Sequence, residues 1–194
     1  PAKPLGCFGD GGAVFVEDKE LIEKIKSLRV HGQGTMRYTY QRIGVNGRFD
    51  NLQAAVIVKK LKFFDDEVKR RNEIAVNYNN ALNEFVITPF LHTDRTSVFA
   101  QYTIRVQESK REDFRDALHK AGVPSVVYYP LPIHMQPAYN HFPKSDMPNT
   151  QELCQTVMSL PMHPYMENQD DIIKCIVNAA KECKLTRIQE EVYG

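Results

Sequence analysis

Apolar residues recur along this chain with two different periods, and the changes of period mark out its elements. Leu21, Ile22, Ile25 and Leu28 fall at helical spacing, with Asp18 placed to cap the start of that helix and Gly32 to stop it. Just before them, Ala13-Val14-Phe15-Val16 is an unbroken apolar run, which predicts a short buried strand. Residues 33–48 are polar, aromatic and Gly-rich with no sustained period, which predicts a loop. A loop of that length inside a compact domain is usually functional. From about Asp50 to Leu82 neither Gly nor Pro intervenes, so one long helix of about 50 Å is expected at the standard rise. Its opening residues, Leu52 and Ala54-Ala55-Val56-Ile57-Val58, are apolar on every side and are therefore expected to be buried. Its second half, with Lys59-Lys60, Asp65-Asp66-Glu67 and Lys69-Arg70-Arg71, reads as amphipathic and partly solvated.

The remainder has the pattern of a compact α+β unit. Phe99 to Val106 alternates as a half-buried strand should. Lys110 to Ala121 is a helix ending at Gly122-Val123-Pro124, and Ser125 to Tyr129 is a second strand stopped by Pro130 and Pro132. Residues 130–148 form a Pro-rich loop. A helix near Thr150 to Ser159, a short extended Leu160 to Pro164 and a helix from Asp170 to Cys183 complete the unit. The charged tail, Leu185 to Gly194, is expected to fray.

Composition narrows the class. At 194 residues the chain is one ordinary domain or two small ones with a real core. Its 42% hydrophobic and 25% charged content is that of a soluble globular protein. A formal charge of +1 argues against nucleic acid or an acidic membrane as a partner, and no apolar stretch reaches the length of a membrane span. No secretory signal precedes the first motif. Cys7, Cys154, Cys175 and Cys183 form no C-x-x-C pair and read as reduced thiols of a cytoplasmic protein. The six histidines are scattered, so no metal site is expected.

Candidate chemistry begins at Lys3, framed by Pro1-Ala2-Lys3-Pro4-Leu5-Gly6 and followed by Gly9-Asp10-Gly11-Gly12. A lysine that forms a Schiff base needs a fixed amine in a tight turn, partly shielded from water so that it can shed its proton. Prolines and glycines build such a turn and leave little bulk to block a flat cofactor. The hexamer alone suits a surface lysine in a Pro/Gly loop as well. Asn46 and Arg48, just before the long helix, offer an amide donor and a forked cation to a phosphate or carboxylate; a capping asparagine and a solvated arginine fit the same letters. Tyr38 and Tyr40 lie in the preceding loop, as cleft-lining residues or as ordinary core or surface aromatics.

Together, the stretch from Lys3 to Gly12, Arg29-Val30-His31-Gly32 and Gly44-Val45-Asn46-Gly47-Arg48 closely resemble the pyridoxal-phosphate-dependent nucleotide-sugar aminotransferases of the DegT/DnrJ/EryC1/StrS family. The resemblance covers nearly all of the chain. It implies an α/β fold: the C-terminal half of an aspartate-aminotransferase-like (type I) architecture. Residues 1–82 would be the remainder of the large cofactor-binding domain with its long connecting helix, and 83–194 a small α+β domain. The family draws its phosphate cradle and the partner of the pyridine nitrogen mainly from sequence upstream of the lysine. The chain is therefore expected to be an incomplete half, inactive in isolation.

The resemblance also implies roles. Lys3 is the catalytic lysine that carries pyridoxal 5'-phosphate, Asn46 reaches the cofactor phosphate of the neighbouring subunit, and Arg48 faces that subunit's substrate. Tyr38, Tyr129 and His134 are substrate-side candidates. In Tyr128-Tyr129-Pro130-Leu131-Pro132-Ile133-His134 the family often has histidine where this chain has Tyr128, which weakens any histidine-specific role there. His163 matches a motif but is expected to pack structurally, and His31 suits a helix C-terminus without further function. The implied assembly is a homodimer with shared active sites. The implied reaction moves an amino group from an amino acid, glutamate, to a keto-sugar nucleotide. Pro1 to Gly12, Val45-Asn46, Ala100 to Thr103 and Ser159 to Pro164 point to the branch acting on UDP-2-acetamido-3-keto-glucuronate, which serves bacterial surface polysaccharide such as lipopolysaccharide O-antigen. Related sugar dehydratases carry histidine at the lysine position, so Lys3 argues against that activity. The alternative is a non-catalytic fragment or dimerisation module of the same fold, without cofactor.

Overall fold

The computed structural model describes residues 2–143 and 145–188. By spatial contact the chain divides into two compact units, residues 1–65 and residues 66–194.

The first unit is built around one short helix, α1 (Lys19–Leu28), and a doubled-back loop. Asp18 caps α1 as its sequence position suggests, accepting the backbone N–H of Glu20 at 2.8 Å and of Leu21 at 3.1 Å. These bonds satisfy two of the four donors that every helix start leaves open. Beyond the helix the chain turns at Gly32, whose φ of +78° is a conformation that side chains resist. Residues 33–48 are a loop, and its two passes are tied by single antiparallel bridges, Val30 to Asn46 and Gln33 to Tyr40. Ala13-Val14-Phe15-Val16 is not the buried strand its apolar run predicts. It is irregular, and Phe15 is 92% exposed. A strand exists only through a pairing partner, and none faces this run among the described residues.

Helix α2 (Asn51–Leu82) is the uninterrupted long helix expected, but its burial is reversed. The apolar opening is only partly covered, with Leu52 81% and Val58 61% exposed and Ala54, Val56 and Ile57 half-buried, while Arg71, Ile74, Ala75, Tyr78 and Leu82 of the second half are buried. Within the second unit those residues have a core to enter. Apolar side chains elsewhere on the opening turns have none there among the described residues of the first unit, where Cys7 is the one buried apolar side chain.

The second unit packs α2's last turns, α3 (Arg111–Lys120) and α5 (Gln169–Glu182) around a small antiparallel sheet. Strands β1 (Tyr102–Arg105) and β2 (Val157–Leu160) pair with Tyr102 opposite Leu160 and Ile104 opposite Met158. Tyr102 and Ile104 of β1 are buried while Thr103 and Arg105 between them are half-buried, the period-two pattern of a strand with one core face. Single bridges extend the row on both sides, Ile87 against Arg105 and Val126 against Ser159. Ser125 to Tyr129, expected as a full strand, contributes only that one bridge. The proline-rich continuation, with its short turns Ile133–Met135 and Pro137–Tyr139, draws the chain away. Helix α4 (Pro148–Thr156) ends earlier than expected, and β2 takes the residues assigned to its last turn. Tyr78, Tyr102, Phe114, Leu118 and Ile176 are fully buried, each removing about 1.5–3 kcal/mol of apolar exposure. The Arg71 guanidinium is buried with them, donating to the carbonyls of Phe99 at 3.0 Å and Met162 at 3.4 Å. Burial pulls its pKa below the ordinary value, against the opposing pull of Glu67. Leu185 closes the core; residues 189–194 of the charged tail lie outside the described residues.

Candidate functional site

Lys3 lines a cleft of about 530 Å3 in the first unit, together with Gly6, Cys7, the Gly9–Gly12 turn, Phe49 and Ile57. The glycines matter sterically. A Cβ on Gly11 would stand 2.5 Å from Cε2 of the Phe49 ring, whereas one on Gly12 would meet nothing within 4 Å. Gly11 thus lets an aromatic ring lie directly against the turn, and Gly12 leaves an open wall. The Cys7 thiol donates to the Gly9 carbonyl at 3.0 Å, closing the turn on itself. The turn is held from outside as well, because Lys60 Nζ on α2 donates to the Gly6 carbonyl at 2.8 Å. Lys3 itself is exposed, so the chain as described does not supply the shielding that a Schiff-base lysine requires.

The second cluster sits where the loop returns to α2. Gly32 and Gly44 cross so closely that a Cβ on Gly32 would overlap the Arg42 carbonyl and one on Gly44 would overlap the Gly32 amide. Backbone bonds from His31 to Val45 at 2.9 Å and from Gly47 to Arg29 at 2.8 Å lock this crossing. It presents Asn46 and Arg48 side by side, with Arg48 Nε donating to Asn46 Oδ1 at 3.1 Å. An asparagine whose oxygen is taken by a guanidinium has its amide N–H groups to offer an anion. The two sequence candidates are therefore one constellation, and Phe49, the next residue, reaches the wall of the Lys3 cleft.

Tyr38 is exposed at a φ of +65° with the Arg37 guanidinium 4.9 Å from its ring centre. Tyr129 and His134 belong to the second unit. Tyr129 is 68% exposed and stacks edge-on with Tyr128, 5.5 Å between ring centres. His134 is half-buried in the turn after Pro132, and its Nε2 is buried with no hydrogen-bond partner among the described residues. His163 acts locally, its Nδ1 accepting the Tyr165 amide at 3.2 Å. Among the described residues no cluster of His, Cys, Asp and Glu could hold a metal, and no helix is long and apolar enough to cross a membrane.

Sequence reading missed the helix side of the cleft: Phe49, Gln53, Ile57 and Lys60. The signal was available in the spacing, since Gln53, Ile57 and Lys60 stand four and three residues apart on a predicted helix. What was missing was the identity of the surface they meet.

The present residues fit one end of pyridoxal phosphate. A primary amine stands at a glycine-lined cleft, with Phe49 and Ile57 as apolar walls for a flat ring, and an amide–guanidinium pair suits an anion. Comparison with known proteins gives the family and its cofactor. An aminotransferase from Pseudomonas aeruginosa, described as UDP-2-acetamido-2-deoxy-3-oxo-D-glucuronate aminotransferase, is 44% identical over 176 residues, covering 90% of this chain and 48% of the relative. A crystal structure of a DegT DnrJ EryC1 StrS aminotransferase from Brucella abortus superposes with a TM-score of 0.87 at 43% identity, covering 92% of this chain and 48% of that one. NtdA from Bacillus subtilis, solved with bound cofactor PMP, superposes with a TM-score of 0.84 at 25% identity, covering 93% and 44%. The chain thus spans about half the length of the curated relatives it matches. Its fold is that of the pyridoxal-phosphate-dependent aminotransferases. Residues 1–178 match the family profile itself, and the chain belongs to the DegT/DnrJ/EryC1/StrS aminotransferase family.

Proposed function

We propose that the whole protein transfers an amino group from an amino acid, glutamate, to the keto-sugar nucleotide UDP-2-acetamido-3-keto-glucuronate. The product would serve bacterial surface polysaccharide, lipopolysaccharide O-antigen included, in the cytoplasm. The observation that carries the reading is the Lys3 amine at a glycine-lined cleft walled by Phe49 and Ile57, in a chain of this family. Bound pyridoxal phosphate supplies the electron sink that amino-group transfer needs. Lys3 Nζ is the group that holds the cofactor covalently and then takes and returns the proton at the reacting carbon. Asn46 offers its amide N–H groups to the cofactor phosphate of a second subunit. Arg48 offers its fork to a substrate carboxylate there, where a bidentate pair is strongest. Tyr38, Tyr129 and His134 line the substrate side. In this reading residues 1–82 complete the large domain and carry the connecting helix, and 83–194 form the small domain.

Reduction of the complete, cofactor-loaded protein with borohydride, followed by peptide mass mapping, tests the assignment. The reduced cofactor is expected on the peptide containing Lys3. Lys3→Ala should lose the visible absorbance of the bound cofactor and all turnover while keeping its circular dichroism, since an exposed loop substitution costs little stability. Full turnover in Lys3→Ala would end the proposal.

A further inference from the structure

Beyond walling the cleft with Phe49 and Ile57, the surface that holds the Lys3 turn touches it at four successive points. Phe49 lies against Gly11. The Gln53 amide stands at Gly9, its Nε2 3.4 Å from where a Cβ would be. Ile57 lines the cleft beside Lys3. Lys60 Nζ donates to the Gly6 carbonyl at 2.8 Å. Only the last is a directed, charged bond. Gly6 is buried, so losing that donor leaves a buried carbonyl unpaired, which is more expensive than the bond is favourable. The turn has little else to fix it between Lys3 and Gly6. Pro4 lacks an N–H, and the Cys7–Gly9 contact lies beyond Gly6.

We infer that Lys60 is a positioning residue for Lys3: its ammonium, anchored on α2, holds the Gly6 carbonyl and so fixes the turn from which the Lys3 amine projects. The inference rests on Lys3 being the cofactor lysine. Lys60 does not touch the reacting atoms in this account. It decides how often Lys3 stands where the cofactor can be held, so its removal should loosen attachment and alter the protonation equilibrium of the attached group.

The experiment uses the complete protein loaded with pyridoxal phosphate. Borohydride mapping of the unsubstituted protein comes first; a reduced cofactor on a lysine other than Lys3 overturns the parent reading, whatever Lys60 does. With Lys3 confirmed, Lys60→Met and Lys60→Arg are compared by the rate of cofactor release and by the pH midpoint of the visible band. Lys60→Met, which keeps the apolar stem, should release cofactor about tenfold faster, the effect of losing one hydrogen bond to a charged group. Its pH midpoint should move, and Lys60→Arg should recover most of both changes. Should Lys60→Met fold poorly, Lys60→Gln is read by the same two measurements and should change in the same direction. Wild-type release and midpoint in Lys60→Met (or in Lys60→Gln where that variant replaces it), or a defect that Lys60→Arg leaves unrepaired, overturns the inference.

Discussion

Tyr78 shows how much one buried hydroxyl constrains this molecule. Its ring is fully buried and its hydroxyl donates to the Pro161 carbonyl at 3.0 Å. Burial pushes its pKa from the ordinary 10.0 up to about 12, and Tyr102 beside it is raised too, by burial first and by Tyr78 second. A raised folded-state pKa means that the stabilisation is complete below the unfolded value and is lost as pH climbs through the folded one. Stability should therefore fall from pH 10 to about 12, by about 1.4 kcal/mol per pH unit for this group. Tyr78→Phe should flatten that alkaline decline while losing about 1 kcal/mol at neutral pH through the missing hydrogen bond. Urea midpoints taken from neutral to alkaline pH check both, and an unchanged alkaline slope would contradict the assignment. Among single residues, the placement of those carried by local motif was legible: Lys3 at a glycine-rich turn, and Asn46 beside Arg48 just before α2. Lys60 was not, because what gives it meaning is a carbonyl 54 residues away.

At the level of elements, helices were legible and strands only in part: the alternating run from Phe99 to Val106 contains β1. A helix closes its hydrogen bonds within its own sequence, so spacing, caps and stops suffice, as for α1, α2, α3 and α5. A strand is completed by a distant partner, so the apolar runs at Ala13–Val16 and Ser125–Tyr129 promised more than the fold delivers. The end of α4 was overrun by β2 for the same reason: Val157 to Leu160 finds its partner in Tyr102 to Arg105. The crossing of Gly32 and Gly44 is likewise invisible in sequence, although each glycine was noticed. It yields a comparison. Gly122 has a φ of +76° with nothing near a Cβ, whereas Gly32 combines φ +78° with overlap on the Arg42 backbone. Gly122→Ala should cost about 1 kcal/mol in conformational strain alone. Gly32→Ala must additionally pry the loop apart, exposing residues 33–48 to limited proteolysis that leaves Gly122→Ala untouched. Equal protease resistance in the two variants would show that the crossing is not held as described.

At the scale of the whole molecule, a proposed second subunit would have apolar side chains to cover. Phe15, Ile43 and Leu52 are all largely exposed, and large apolar side chains left in water commonly mark an interface. If Asn46 serves a partner's site, mixing Lys3→Ala and Asn46→Ala variants should regenerate activity. A hybrid then carries one doubly damaged site and one intact site, so random exchange should restore about a quarter of the wild-type rate. No recovery, with exchange of subunits verified by light scattering and mass, would place Lys3 and Asn46 in the same chain's site. The contrast along α2 has one more consequence. Starting a helix is the costly step, and lengthening it is nearly free. The turns from Arg71 to Leu82 are anchored in the core, so they act as a permanent seed. The exposed turns ahead of them grow from that seed without nucleating their own. Helicity in residues 51–65 thus propagates along the chain from turns already fixed, and the segment beneath Lys3 needs no nucleus of its own.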